Sequence, residues 1–115
     1  SDEEILKDFV DFCVKELKIE NMPIIKLRRD PQWPVVHRTF GRYINDKGLL
    51  EVAFGQRHIM DVLRSLAHEL VHYRQDLNDE LNAGSGKTGS PQEDEANSVA
   101  GQMMRKFGKM HPELF

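Results

Sequence analysis

The strongest constraint on this chain is a helical stripe between residues 57 and 77. Apolar residues Ile59, Leu63, Leu66, Leu70 and Leu77 recur at helical spacing, flanked by Met60, Val62, Ala67 and Tyr73. The period predicts a helix over about Arg57 to Leu77 with one side packed on a core. The same segment reads His68-Glu69-Leu70-Val71-His72. Residues four apart share a helix face, with Cβ atoms roughly 5–6 Å apart, so two imidazoles there can grip one metal ion. In a His-Glu-x-x-His string the histidines suit zinc and the glutamate is placed to take a proton from water. Two nitrogen ligands leave room for a third protein ligand and for water. His68 and His72 lie on the more polar side, with Asp61, Arg64, Ser65 and Gln75. A solvated face carrying two histidines is the plain alternative, and a second segment weighs against it.

That segment runs Ser90-Pro91-Gln92-Glu93-Asp94-Glu95-Ala96-Asn97 and on to Phe107. Ser90 suits an N-cap and Pro91 the first helical position. Ala96, Val99, Ala100, Met103, Met104 and Phe107 form an apolar side. At roughly 100° per residue Glu93 projects closest to that side, while Asp94 and Glu95 point away. A carboxylate aimed inward needs a partner, and zinc is one. Ser90-x-x-Glu93 is equally a capping box, in which Glu93 would bond back to the backbone of Ser90. The residues leave Glu93 as ligand or cap, with Glu95 as the reserve ligand. Asp94 and Glu95 also suit the positive end of a helix on electrostatic grounds alone.

His-Glu-x-x-His followed about twenty residues later by Glu-x-Glu-Ala-Asn resembles the gluzincin metallopeptidases. It is most similar to their short single-domain members, the minigluzincins, and to small peptidase-like proteins of bacteriophages. The motifs fall between about Ile59 and Phe107, with a plausible sheet before them. The resemblance implies a minimal zincin-like domain, one zinc ion per chain held by His68, His72 and Glu93, Glu69 as general base, and Asn97 supporting a zinc-binding histidine. It also implies that the strand before the zinc helix is an exposed edge that pairs with extended peptide, here through Leu50, Val52 and Phe54. An edge strand can bind backbone without demanding particular side chains. Larger gluzincins carry a downstream Tyr or His that stabilises the oxyanion. This chain has only His111 after the glutamate helix, and Tyr43, Tyr73 and Arg105 as other candidates. Some minigluzincins are latent, blocked by a terminal segment, so the stretch 108–115 is a candidate plug. The metzincin pattern is excluded, because Gln75 and Asn78 stand where it requires Gly and a third His.

The rest of the chain narrows the setting. Its 115 residues predict one domain, 1–115. Net charge is -3, so no global positive field recruits nucleic acid, and only Lys26, Arg28 and Arg29 hint at such a partner. Cys13 is the single cysteine, which rules out an internal disulfide or a cysteine metal cluster and fits a reducing, cytoplasmic setting. For a phage protein that is the host cytoplasm. No apolar run is long enough for a membrane span, and no secretory signal is visible.

Residues Asp2 to Leu17 predict an N-terminal helix, and Ile24 to Leu27 a first strand. Two prolines in Asp30–Pro34 predict a loop. Val35–Ile44 and Leu49–Phe54 predict two strands around a hairpin turn, Asn45-Asp46-Lys47-Gly48. The expected class is α+β, a small antiparallel sheet packed on an N-terminal helix, an active-site helix and a glutamate helix. Residues 82–89 read as a mobile connection. Gly84-Ser85-Gly86-Lys87-Thr88 resembles the end of a phosphate-binding loop, but Leu81 stands where its first Gly belongs and no strand precedes it. The function these features point to is zinc-dependent hydrolysis of a peptide or protein substrate. The alternative is a latent or weak zinc-binding module. A DNA-associated peptidase or adaptor is a third reading.

Overall fold

Ser1 caps the first helix, its hydroxyl oxygen accepting the Glu4 N–H, and three acids occupy the first turn. This helix, α1, spans Asp2–Glu16 and buries Leu6, Phe9 and Cys13. The computed structural model describes residues 1–85 and 87–114. Gly86 of the phosphate-loop look-alike and Phe115 lie outside them. Beyond α1 come β1 (Ile24–Arg28), α2 (Trp33–His37), β2 (Gly41–Ile44), β3 (Leu49–Ala53), α3 (Ile59–Leu77) and α4 (Pro91–Met110). Two 3-10 turns complete the order, Asn45–Lys47 and Pro112–Leu114. The architecture is the expected α+β one, with His68 and His72 on α3 and Glu93 on α4.

The sheet departs from expectation in two ways. Its strand order is β1-β3-β2, with β1 parallel and β2 antiparallel to β3, so it is mixed. The strand before α3 is therefore central and not an edge, which removes Leu50, Val52 and Phe54 as a peptide-pairing edge. Leu50 and Val52 are fully buried, and Phe54, just past β3, packs partly against the core. The cause is visible in β3 itself. All five of its residues are buried, including Glu51. A buried carboxylate needs cations on hand, and Arg28 from β1 and Arg42 from β2 each donate Nε to it at 2.6 Å. Only a central strand has a neighbour on each side to supply them.

The second strand is also shorter than its β-branched residues predict. Trp33–His37 is helical, with Pro34 in its first turn, where a missing N–H costs nothing. Asp30 accepts the Gln32 N–H ahead of it, and Arg38 ends it in a left-handed conformation. The hairpin turn forms as expected, with Gly48 at φ +57.

Helix α3 packs on the sheet through β2 and β3, and α4 and α1 pack on α3. Leu63, Leu66 and Leu70 of α3 meet Leu50 and Val52 of the sheet in one core. At its far end Phe9 and Phe107 stack edge to face, centroids 5.0 Å apart. Helix α4 runs through Gly108 to Met110, and Leu114 of the following turn packs against the core. Rising ~1.5 Å per residue, α4 places that turn roughly 27 Å from Glu93. The segment through Leu114 therefore docks at the opposite end of the helix and does not plug the site.

Candidate metal centre

Two caps set the stage. His58 accepts the Met60 N–H at the start of α3, and Ser90 accepts the Glu93 N–H at 3.1 Å at the start of α4. A reciprocal capping box would turn the Glu93 carboxylate back to the Ser90 N–H. That N–H instead donates to the Lys87 carbonyl. The Glu93 carboxylate reaches across to α3, with Oε1 2.7 Å from His68 Nε2 and Oε2 3.1 Å from His72 Nε2. The two Nε2 atoms are themselves 3.1 Å apart.

These three residues offer ligand atoms within 4.8 Å of one another. Two nitrogens on a tetrahedral zinc, each at ~2.0–2.1 Å, would stand about 3.3 Å apart, close to the observed separation. Two imidazoles and a carboxylate also form the donor set of an open zinc site. The cluster fits a divalent metal on both geometry and chemistry. Burial and the neighbouring His72 lower the His68 pKa against the pull of Glu93, which favours the neutral, ligating ring.

Glu69 is buried beside this cluster, at 7% exposure. Burial first, and the Glu93 charge second, push its pKa up to about 8. Its place depends on Gly41 in β2. A Cβ there would lie 3.2 Å from Glu69 Cγ and 3.3 Å from Glu69 Oε2. Gly41 is thus needed for close approach and not for its backbone angles. Asn97, four residues beyond Glu93 and exposed on α4, lines the same hollow as His68.

Two hollows flank the cluster and share Glu69. One, of about 320 Å³, is lined by Tyr43, Asn45, His72 and Asn82 among others. The other, of about 310 Å³, is lined by Phe40, Arg57, Ser65, His68 and Asn97 among others. Strand β2 contributes to both, as Tyr43 and Gly41 respectively. It is also the sheet edge nearest the site. Phe40 accepts the Ala53 N–H, so the alternation of an antiparallel pair turns the N–H and C=O of Gly41 and Tyr43 outward. The edge expected after the hairpin turn lies before it.

Of the other candidates, Glu95 stands apart from the histidines, bonded to Gln75 at 2.9 Å and 4.0 Å from Arg74. Tyr43 reaches the cleft, and its hydroxyl donates to Asp76 at 2.5 Å. Tyr73 donates to the Asn21 carbonyl at 2.7 Å. Arg105 and His111 lie toward the distal end of α4.

Three residues without a sequence signal matter here: Gly41, Arg57 and Gln75. Arg57 donates to the Ala53 and Asp61 carbonyls and to Ser65 Oγ, and lies 4.3 Å from the centre of the Phe40 ring. Gln75 is 1% exposed, not solvated as its helical position suggested. Its only available clue was its place three residues after His72, on the same face.

A scan of family models, a search of curated proteins and a search of solved structures each found no match for this chain. The sequence and geometry carry the conclusion alone. This is a small α+β chain whose His68, His72 and Glu93 can hold a divalent metal in a zincin-like arrangement. Among the described residues no helix is long and apolar enough to cross a membrane.

Proposed function

We propose that the chain is a zinc-dependent peptidase of gluzincin type, with one zinc ion held by His68, His72 and Glu93. The observation that supports this most is the place of the motif's glutamate, buried beside the same cluster and lining both hollows that flank it. A structural helix gains nothing from an unpaired carboxyl beside another carboxylate. A general base gains a place within reach of the proton it takes. Zinc bound there supplies Lewis acidity, polarising a carbonyl and making water easier to deprotonate.

The chain's own residues do the rest. Glu69 takes the proton from the attacking water and returns it to the leaving amine. Asn97 steadies His68. The outward N–H and C=O of Tyr43 pair with the backbone of an extended substrate, while those of Gly41 are held by the Thr39 hydroxyl, so that peptide is selected by its main chain. Tyr43 lies in the cleft beside Glu69 and is the nearest phenol to a developing oxyanion. A latent form remains the second reading, because the Tyr43 hydroxyl is already committed to Asp76.

Metal content and turnover test this together. Wild type purified without added metal should carry about one zinc per chain, as in other sites with three protein ligands. Glu93→Ala should lose it, and Glu95→Ala should keep it. Glu69→Gln should keep zinc and lose roughly 10²–10⁴-fold of any peptide hydrolysis. Zinc retained in Glu93→Ala refutes the ligand set, and full activity in Glu69→Gln refutes the mechanism.

A further inference from the structure

Gln75 sits one turn beyond His72, and among the hydrogen bonds of the described residues His72 is the member of the cluster that its side chain bonds. Its side-chain amide makes three hydrogen bonds. His72 Nδ1 lies 2.8 Å from Oε1, and Nε2 lies 3.0 Å from the Gln92 carbonyl and 2.9 Å from Glu95 Oε1. The orientation of this amide is forced. A backbone carbonyl only accepts, and an ionised carboxylate only accepts. Both face the same end of Gln75, so that end is the NH2 group and the other is the carbonyl oxygen. An amide oxygen cannot donate, so His72 must donate to it. With Nδ1–H donated to Gln75 at 2.8 Å, the lone pair of the neutral ring is on Nε2, against the competing pull of Glu93 Oε2, an acceptor 3.1 Å from Nε2.

We infer that Gln75 is a positioning residue that fixes the Nδ1–H tautomer of His72 and so presents Nε2 as a metal donor. A free imidazole favours the opposite tautomer, with hydrogen on Nε2, which would point an N–H at the metal position. Gln75 therefore reverses the intrinsic preference of the ring. The same amide joins the two halves of the site. Gln92 precedes Glu93, so the bond from Gln75 to its carbonyl ties the first turn of α4 to His72. Gln92 in turn donates to the Glu80 carbonyl at 2.9 Å, anchoring that turn to the segment that follows α3. Glu95 holds the second hydrogen of the amide. This gives the second carboxylate of the Glu-x-Glu pair a task distinct from metal binding: it keeps Gln75 from flipping. Partners of this kind commonly alter metal affinity 10- to 100-fold when removed.

The consequence for affinity rests on the zinc reading above, but the tautomer does not, and the two are read separately. Long-range nitrogen–proton NMR correlation of the metal-free wild type, at a pH where the imidazoles are neutral, reports the tautomer of His72 directly. The expected result is hydrogen on Nδ1. Gln75→Leu should shift the ring toward hydrogen on Nε2 and weaken zinc binding 10- to 100-fold by competition titration. The tautomer signal separates positioning from simple packing, which Leu preserves. Hydrogen on Nε2 in the metal-free wild type overturns the inference, whether or not Gln75→Leu folds. An unchanged tautomer in a folded Gln75→Leu overturns it too. Failure of wild type to bind zinc, with hydrogen on Nδ1, refutes the metal reading and leaves the tautomer assignment standing.

Discussion

Replacing Glu51 by Gln tests the device that holds the sheet in order. The carboxylate is 2% exposed and bridges Arg28 and Arg42, whose side chains are 36% and 40% exposed. Burial alone would raise the Glu51 pKa, but hydrogen bonds and charge from Arg42 and Arg28 outweigh it and hold the group below the usual carboxylate range. Removing one partner of a buried pair costs about 3–5 kcal/mol when the remaining charge stays buried. Here both guanidiniums can turn to water, so the lower end applies, about 3 kcal/mol at neutral pH. For a chain of this length that is a fall of roughly 12 °C in Tm. The pH dependence has a fixed sign. The folded pKa is depressed, so this stabilisation is complete above the unfolded pKa and disappears as pH falls through the folded value. Urea unfolding of metal-free wild type and Glu51→Gln, at neutral pH and in steps into the acid range, measures it. The gap should be widest near neutrality and close as the medium becomes acid. A gap under about 0.5 kcal/mol at neutral pH, within the range of an ordinary surface substitution, refutes the reasoning. So does a gap that persists unchanged into strong acid.

Two further outcomes follow from contacts on opposite ends of the core. Gly41→Val should keep zinc content but lower peptide hydrolysis at least about tenfold, since Cβ would displace the Glu69 carboxylate and misplaced groups lose rate steeply; unchanged turnover under the same assay would show that the contact is harmless. Phe107→Ala empties the site packed by Phe9 and Phe12 and should cost about 3–5 kcal/mol in urea unfolding. A cost below about 1 kcal/mol would mean that this end of the core is not closed.

The two site helices were legible because helical order is local. The stripe from Ile59 to Leu77 and the caps at Ser90 and Pro91 were read from residues within a few positions of each other. The pairing of His68 with His72 needs only the helical period. Strand order was not legible, because β1 and β3 carry similar apolar runs and nothing local says which becomes central. The stretch from Val35 failed for a related reason. Its β-branched residues favour extension, but no free strand was left beside β3 to pair with them, and Val35 and Val36 remain exposed on a short helix.

The sequence by itself determined the chemistry on offer: two imidazoles on one helix face, a glutamate between them, and a second capped helix rich in carboxylates. Tertiary structure turned Glu93, the carboxylate that helical phase favoured, onto the histidines and not back to its cap, and it alone decided that β2 and not β3 is the edge and that Gln75 is buried against His72. The division has a physical basis. Donor identity and helical phase are properties of neighbouring residues, whereas burial and hydrogen-bond partnership exist only once distant segments meet. Glu93 and Glu95 differ by two positions and roughly 160° around α4, and only the approach of α3 makes one a candidate metal ligand and the other the clasp on Gln75.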